Sequence, residues 1–266
     1  MLGSPSMRVT RFARVTVVVV SVSVSVAACG GGNGNNSGIP DDCNPLGGEG
    51  CMLPWPAMTY TRVDPASPTG IHLDIPPEAM PKNVDGITIE PTFLNRWDGF
   101  SAISPLLAMF PTGVSPTGLP TFKDPDASLA ANSPIVLLDM TTGERAPFFA
   151  EVDQNTTDIT KRALIIRPLA RLHPRDRYAV AIRTAVKAAD GSDLPLSPAF
   201  AALRDGASFD HPRFDALAER YPDIFTALET AGVPKTDLVL AWDFVVASDE
   251  FEPPGIGPHY RMELPV

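Results

Sequence analysis

Hydrophobic and polar positions follow several rhythms along this chain, and each rhythm predicts a different element. Over residues 177–184, Tyr178, Val180 and Ile182 alternate with Ala179, Ala181 and Arg183. Period two places successive side chains on opposite faces, so a half-buried strand is expected there. Ile135 to Met140, Ala146 to Val152 and Ala163 to Arg167 are further apolar runs of strand length. Thr141-Thr142-Gly143-Glu144 reads as a hairpin-like link between the first two, and Asp190-Gly191-Ser192 as another turn. Leu238 to Val246 is nearly continuous apolar sequence, which suits a strand covered on both faces. Its one charge, Asp243, must be paired or turned to an edge, and a structural role is expected. Weaker strand signals lie at Met58 to Arg62, Ile71 to Ile75 and Gly86 to Glu90.

The period changes near Asp210. Phe214, Leu217, Ala218, Tyr221, Phe225 and Leu228 share one helical face, with Pro212 at the start and Gly232 and Pro234 at the end. Pro222 falls inside, so either one helix kinks or two short helices meet, the second starting at Pro222. The 29 prolines, spread along the whole chain, favour short strands joined by turns over long helices.

At the N-terminus the pattern is that of an export signal. Arg8, Arg11 and Arg14 precede an apolar stretch from Val15 to Ala28 that is shorter than the ~20 residues of a membrane helix. It ends in Val26-Ala27-Ala28-Cys29, which resembles the bacterial lipoprotein cleavage box. That resemblance implies removal of residues 1–28 and acylation of Cys29, and so a partner in the membrane itself, probed by several acyl chains. Residues 30–38, rich in Gly, Asn and Ser, then read as part of a flexible tether over 29–41. Gly30 after the cysteine resembles the outer-membrane-directed form of the signal, placing the protein in the cell envelope.

Charge narrows the partners. Losing the three leader arginines takes the net charge from −10 to −13, a surface that repels nucleic acid. Of the three cysteines, Cys43 and Cys51 flank a Pro- and Gly-containing turn and are expected to form a disulfide outside the cytoplasm. Two thiolates with no histidine or further cysteine nearby fall short of a zinc set.

Several segments together resemble the N-terminal, non-catalytic region of large bacterial secreted lipases and related lipoproteins. They are Cys43-Asn44-Pro45-Leu46, Cys51-Met52-Leu53-Pro54-Trp55-Pro56, Leu94-Asn95-Arg96-Trp97-Asp98-Gly99-Phe100-Ser101, Arg167-Pro168-Leu169, Leu172-His173-Pro174-Arg175-Asp176-Arg177-Tyr178, and Ala241-Trp242-Asp243-Phe244. The resemblance implies a mainly β, immunoglobulin-like sandwich over residues 42–205; the helical face and apolar run that follow read as a helix-and-strand appendage at 206–250, and residues 251–266 as a low-order tail that resembles nothing in that family. In those relatives an α/β-hydrolase domain follows the aromatic strand, so the chain reads either as a short relative or as a truncated one. A truncated chain is expected to leave the 238–246 strand partly uncovered unless the tail from Phe251 covers it.

No catalytic residue, cofactor or metal set is read from the sequence. The G-x-S-x-G turn that exposes a hydrolase serine does not occur. Ser101, with Asp98 and a distant histidine, reads better as part of an Asp-Gly turn. His72, His173, His211 and His259 are isolated in sequence, and Asp124 to Ser128 lacks the glycine and glutamate of a calcium loop. Asp153 to Asp158 reads as a polar turn, and Asp249, Glu250 and Glu252 as a solvated end. Trp55, Trp97 and Phe100 lie in turn-rich sequence, where aromatic rings either fill a core or form a platform for a protein or carbohydrate partner. The expected function is a membrane-anchored binding or structural module of the envelope.

Overall fold

The computed structural model describes residues 36–47 and 50–250. Its strands are β1 (Thr61–Val63), β2 (Ile71–Leu73), β3 (Leu106–Ala108), β4 (Ile135–Asp139), β5 (Phe148–Val152), β6 (Leu164–Pro168), β7 (Arg177–Arg183) and β8 (Leu238–Val245). All pairings between them are antiparallel, and the mainly β class read from the sequence holds. β1 and β2 form a small hairpin, and the other strands form two three-stranded sheets, β3-β6-β5 and β4-β7-β8. If β3 to β8 are named B to G, these are the B-E-D and C-F-G orders of a constant-type immunoglobulin sandwich. The position of strand A is marked by Trp55, whose backbone N–H and C=O both bond to Leu107 of β3. At the turn into β7, Tyr178 accepts the His173 backbone N–H on its hydroxyl at 3.0 Å, the arrangement of a tyrosine corner.

Inward residues of both sheets, among them Leu106, Phe148, Leu164, Ile166, Ile135, Leu137, Val180 and Ile182, belong to one buried cluster. A smaller cluster of Tyr60, Ile75, Ala79 and Met80 lies under the loops before β3. A disulfide joins Cys43 to Cys51, as the spacing predicts.

β7 departs from the half-buried expectation, because Ala179 and Ala181 are as enclosed as Val180 and Ile182. The cause is the long connection between β7 and β8, which carries three helices: α1 (Pro198–Asp205), α2 (Phe214–Ala218) and α3 (Tyr221–Thr230). α3 packs on both β7 and β8, and small alanines on that face let it approach. The helical segment is two helices rather than one kinked rod, with Pro222 in the first turn of α3, where its missing N–H leaves no bond unmade. α1 lies inside the stretch read as β. Its signals were local ones: Ser197 accepts the Phe200 N–H, Pro198 opens the helix, and Gly206 closes it at φ 72°.

Residues 206–250, set apart by the sequence as an appendage, are instead built into the sheet. β8 pairs with β7 from Val245 opposite Arg177 to Leu238 opposite Arg183. The strand is buried at every position, as its unbroken apolar run predicts. A 3-10 turn at Met58–Tyr60, together with α1 and α3, packs on it, and Trp242 Nε1 donates to the Pro56 carbonyl at 2.8 Å.

Two weak strand signals resolve differently. Met58 to Tyr60 is the 3-10 turn that precedes β1. Residues 86–90 form no strand beyond a bridge from Thr88 to Lys82, and Ile87 and Ile89 stay exposed with no neighbouring strand to cover them. The tether reading is corrected at its end: Asn36 bonds to Asp210, His211 Nε2 lies 3.1 Å from the Pro40 carbonyl, and Arg213 donates to the Asp41 carbonyl. Cys29, the leader and the 251–266 tail lie outside the described residues. Among those described, no helix is long and apolar enough to cross a membrane.

Candidate functional site

The three aromatic residues that the sequence left open converge on one cleft of about 600 Å3. Trp55, Phe93, Trp97 and Phe100 line it, with Ser101, Ser104, Arg171 and Asp249 supplying polar groups. A 3-10 turn and backbone bonds to the strands place these rings. Pro91 starts a 3-10 turn, Pro91–Arg96, and Trp97 follows it in extended conformation with its carbonyl accepting the Leu73 N–H of β2. Trp55 is held by its paired bonds to Leu107 and meets Phe100 edge to face, centroids 5.0 Å apart. Phe100 is bridged to the end of β8 through Phe100 N–H to Val245 C=O and Ala247 N–H to Phe100 C=O.

Gly99 makes that bridge sterically feasible. A Cβ there would sit 2.6 Å from the Ala247 backbone nitrogen, closer than side chains tolerate. The Asp-Gly pair therefore serves close backbone approach as well as turning.

The rings divide their work. Phe100 is core, at 2% exposure, whereas Phe93 is 58% exposed and Trp55 and Trp97 are half-buried. On the polar side, Arg171 and Asp249 form an ion pair across the cleft mouth. The hydrogen bond from Arg171 holds the Asp249 carboxyl below the usual carboxylate range, and Arg171 is correspondingly raised. Trp55 also lines an adjacent, more apolar pocket of about 580 Å3 with Met52, Leu53, Met80 and Leu107. The cleft is within the ~300–1,000 Å3 range of ligand pockets and combines apolar faces with a few hydrogen-bonding groups.

Ser101 borders the cleft, but its surroundings are those of a turn. Its Oγ accepts the Ile103 N–H at 3.4 Å, and among the described residues no histidine lines the cleft. Asp98 is buried, accepts the Ser248 N–H at 3.2 Å on Oδ1, and has an enclosed Oδ2 with no hydrogen-bond partner among the described residues.

The remaining polar candidates fall into turns and caps. Pro125–Ser128 is a 3-10 turn in which Ser128 Oγ donates to the Pro125 carbonyl and accepts the Phe148 N–H, which ties it to β5. Asp153 and Asp158 accept nearby backbone N–H groups in the turns before Thr160. Glu250 pairs with Arg175 at 3.1 Å. Asp243 is paired with Arg177 and Arg220, as its place in an apolar strand required.

Among the histidines, His72 is 3.7 Å from Asp64, His211 faces Pro40, and His259 lies outside the described residues. The reading of isolated histidines is corrected at His173, which the fold brings against Asp139 and Asp176. Burial, with the Asp139 carboxylate beside it, raises Asp176 above the usual carboxylate range. No spacing rule could find this group, because its members come from the end of β4 and from the loop before β7.

A scan of known protein-family models finds none that matches this chain, and no curated protein matches it.

Proposed function

We propose that this protein is a membrane-anchored lipoprotein of the bacterial envelope that binds carbohydrate in the aromatic cleft and has no catalytic site of its own. The lipobox-like Val26-Ala27-Ala28-Cys29 supports the anchor. The observation that carries the binding reading is the cleft itself, where half-buried Trp55 and Trp97 and exposed Phe93 stand beside Ser101, Arg171 and Asp249. Apolar ring faces cover the C–H faces of a pyranose, and the polar groups at the mouth suit its hydroxyls. The resemblance to non-catalytic regions of secreted lipases agrees with a binding role.

The test is affinity electrophoresis and a glycan array with the soluble protein from residue 30 onward. Retardation by at least one polysaccharide is expected, lost in Trp97→Ala and Phe93→Ala. Full retention of binding in both variants, or no glycan bound by the wild type, overturns the reading.

A further inference from the structure

Asp139, His173 and Asp176 lie at the end of the sandwich where β4 finishes and β7 begins, and they present one ligand atom each to a common point. His173 Nδ1 is 3.3 Å from Asp139 Oδ2 and 3.4 Å from Asp176 Oδ2. All three ligand atoms fall within 4.8 Å of one another. Metal–ligand bonds of about 2.0–2.1 Å in tetrahedral geometry set neighbouring ligand atoms about 3.3–3.4 Å apart. The two histidine-to-carboxylate distances have that spacing.

A second observation concerns charge. The Asp139 side chain is only 4% exposed, and its two oxygens have separate duties. Oδ1 accepts the backbone N–H groups of Thr141 and Thr142 at 2.8 and 3.2 Å, which holds the carboxylate in place. Oδ2 faces His173 at 3.3 Å, and the Tyr178 hydroxyl and the Asp176 carboxyl also hydrogen-bond to this carboxylate. Among the described residues, His173 is the one ion-pair partner of either Asp139 or Asp176. A buried carboxylate beside a second carboxylate is stabilised by a cation or a shared proton, and the nearby arginine that could serve is engaged elsewhere: Arg177 is on Asp243 and Asp223.

We propose that Asp139, His173 and Asp176 form a binding site for a divalent transition-metal cation of the zinc class. One imidazole nitrogen with two carboxylates favours such an ion over magnesium or calcium, which prefer oxygen alone. The His173 side chain is 65% exposed, so the outer coordination positions face solvent and take water. The Thr141 and Thr142 N–H groups act as the outer hydrogen bonds that orient a ligating carboxylate. The ion would tie the end of β4 to the loop that carries the tyrosine corner.

The experiment is equilibrium dialysis of untagged protein against zinc, and titration with cobalt(II) followed by its visible absorption. One equivalent of metal is expected, with the intense bands of a four- or five-coordinate cobalt site. His173→Ala, at an exposed position, is expected to weaken binding at least tenfold while leaving the circular dichroism unchanged. Asp139→Asn keeps an Oδ1 for the two turn N–H groups and is expected to fold and to bind as weakly. If the occupant is a proton alone, the wild type binds no stoichiometric metal, and the proposal fails. Undiminished binding in folded His173→Ala overturns it as well.

Discussion

Arg177 donates from Nε to Asp243 Oδ2 at 2.7 Å, joining neighbouring strands β7 and β8 on the face that α3 covers. Arg220, just before α3, reaches the same carboxylate, so one buried anion holds two arginines and fixes the helical insertion to the sheet. Asp243 is 2% exposed, whereas the arginines are about a quarter exposed and keep part of their hydration.

Removing the shared anion therefore costs more than removing either cation. Asp243→Asn is expected to destabilise by about 3 kcal/mol, the lower end for a broken buried pair, because two guanidinium groups lose their partner. Arg177→Met leaves Arg220 in place and is expected to cost less. Urea denaturation of the two variants checks the order, and an equal or reversed cost refutes the shared-anion account.

Alkaline pH is expected to unfold the protein through its buried tyrosines. Burial raises Tyr60, Tyr178 and Tyr221 above the ordinary value. In the unfolded chain they ionise near ~10. The folded state therefore holds their protons longer, and stability that is complete below pH ~10 falls above it by up to about 1.4 kcal/mol per pH unit for each tyrosine. Tyrosinate absorbance from these three should rise together with unfolding. Early ionisation of several tyrosines in folded protein would contradict this.

Loss of the disulfide is expected to cost about 2.5 kcal/mol, from the loop entropy of so short a closure. Cys43 and Cys51 are eight positions apart. The Cys51 carbonyl accepts the Tyr60 hydroxyl at 2.8 Å, so the bridge also ties the chain start to the small cluster around Tyr60. Chemical denaturation of the Cys43→Ala, Cys51→Ala double variant measures the effect. An unchanged midpoint would show that the loop is held without it.

Replacing Cys29 by serine is expected to abolish incorporation of labelled fatty acid and to move the protein out of the membrane fraction or leave it unprocessed. Acylation that persists in this variant removes the anchor from the proposed function.

Local patterns along the chain determined a good deal. Alternation around Tyr178 marked β7, the unbroken run from Leu238 marked β8 as covered on both faces, and the spacing of Cys43 and Cys51 predicted their bond, because each signal depends on neighbours in sequence. Two signals were too short to see: β3 has three residues, and α1 announces itself only through Ser197, Pro198 and Gly206. What α3 covers, and hence why Ala179 and Ala181 are small, depends on a connection that returns to the sheet after more than fifty residues. The gathering of Trp55, Phe93 and Trp97 around one cleft, and of His173 with Asp139 and Asp176, was decided by tertiary structure alone. Trp55 comes from a different loop than Phe93 and Trp97, and Asp139 ends a strand while His173 and Asp176 share the loop before β7, so only sheet pairing brings them within reach of one another.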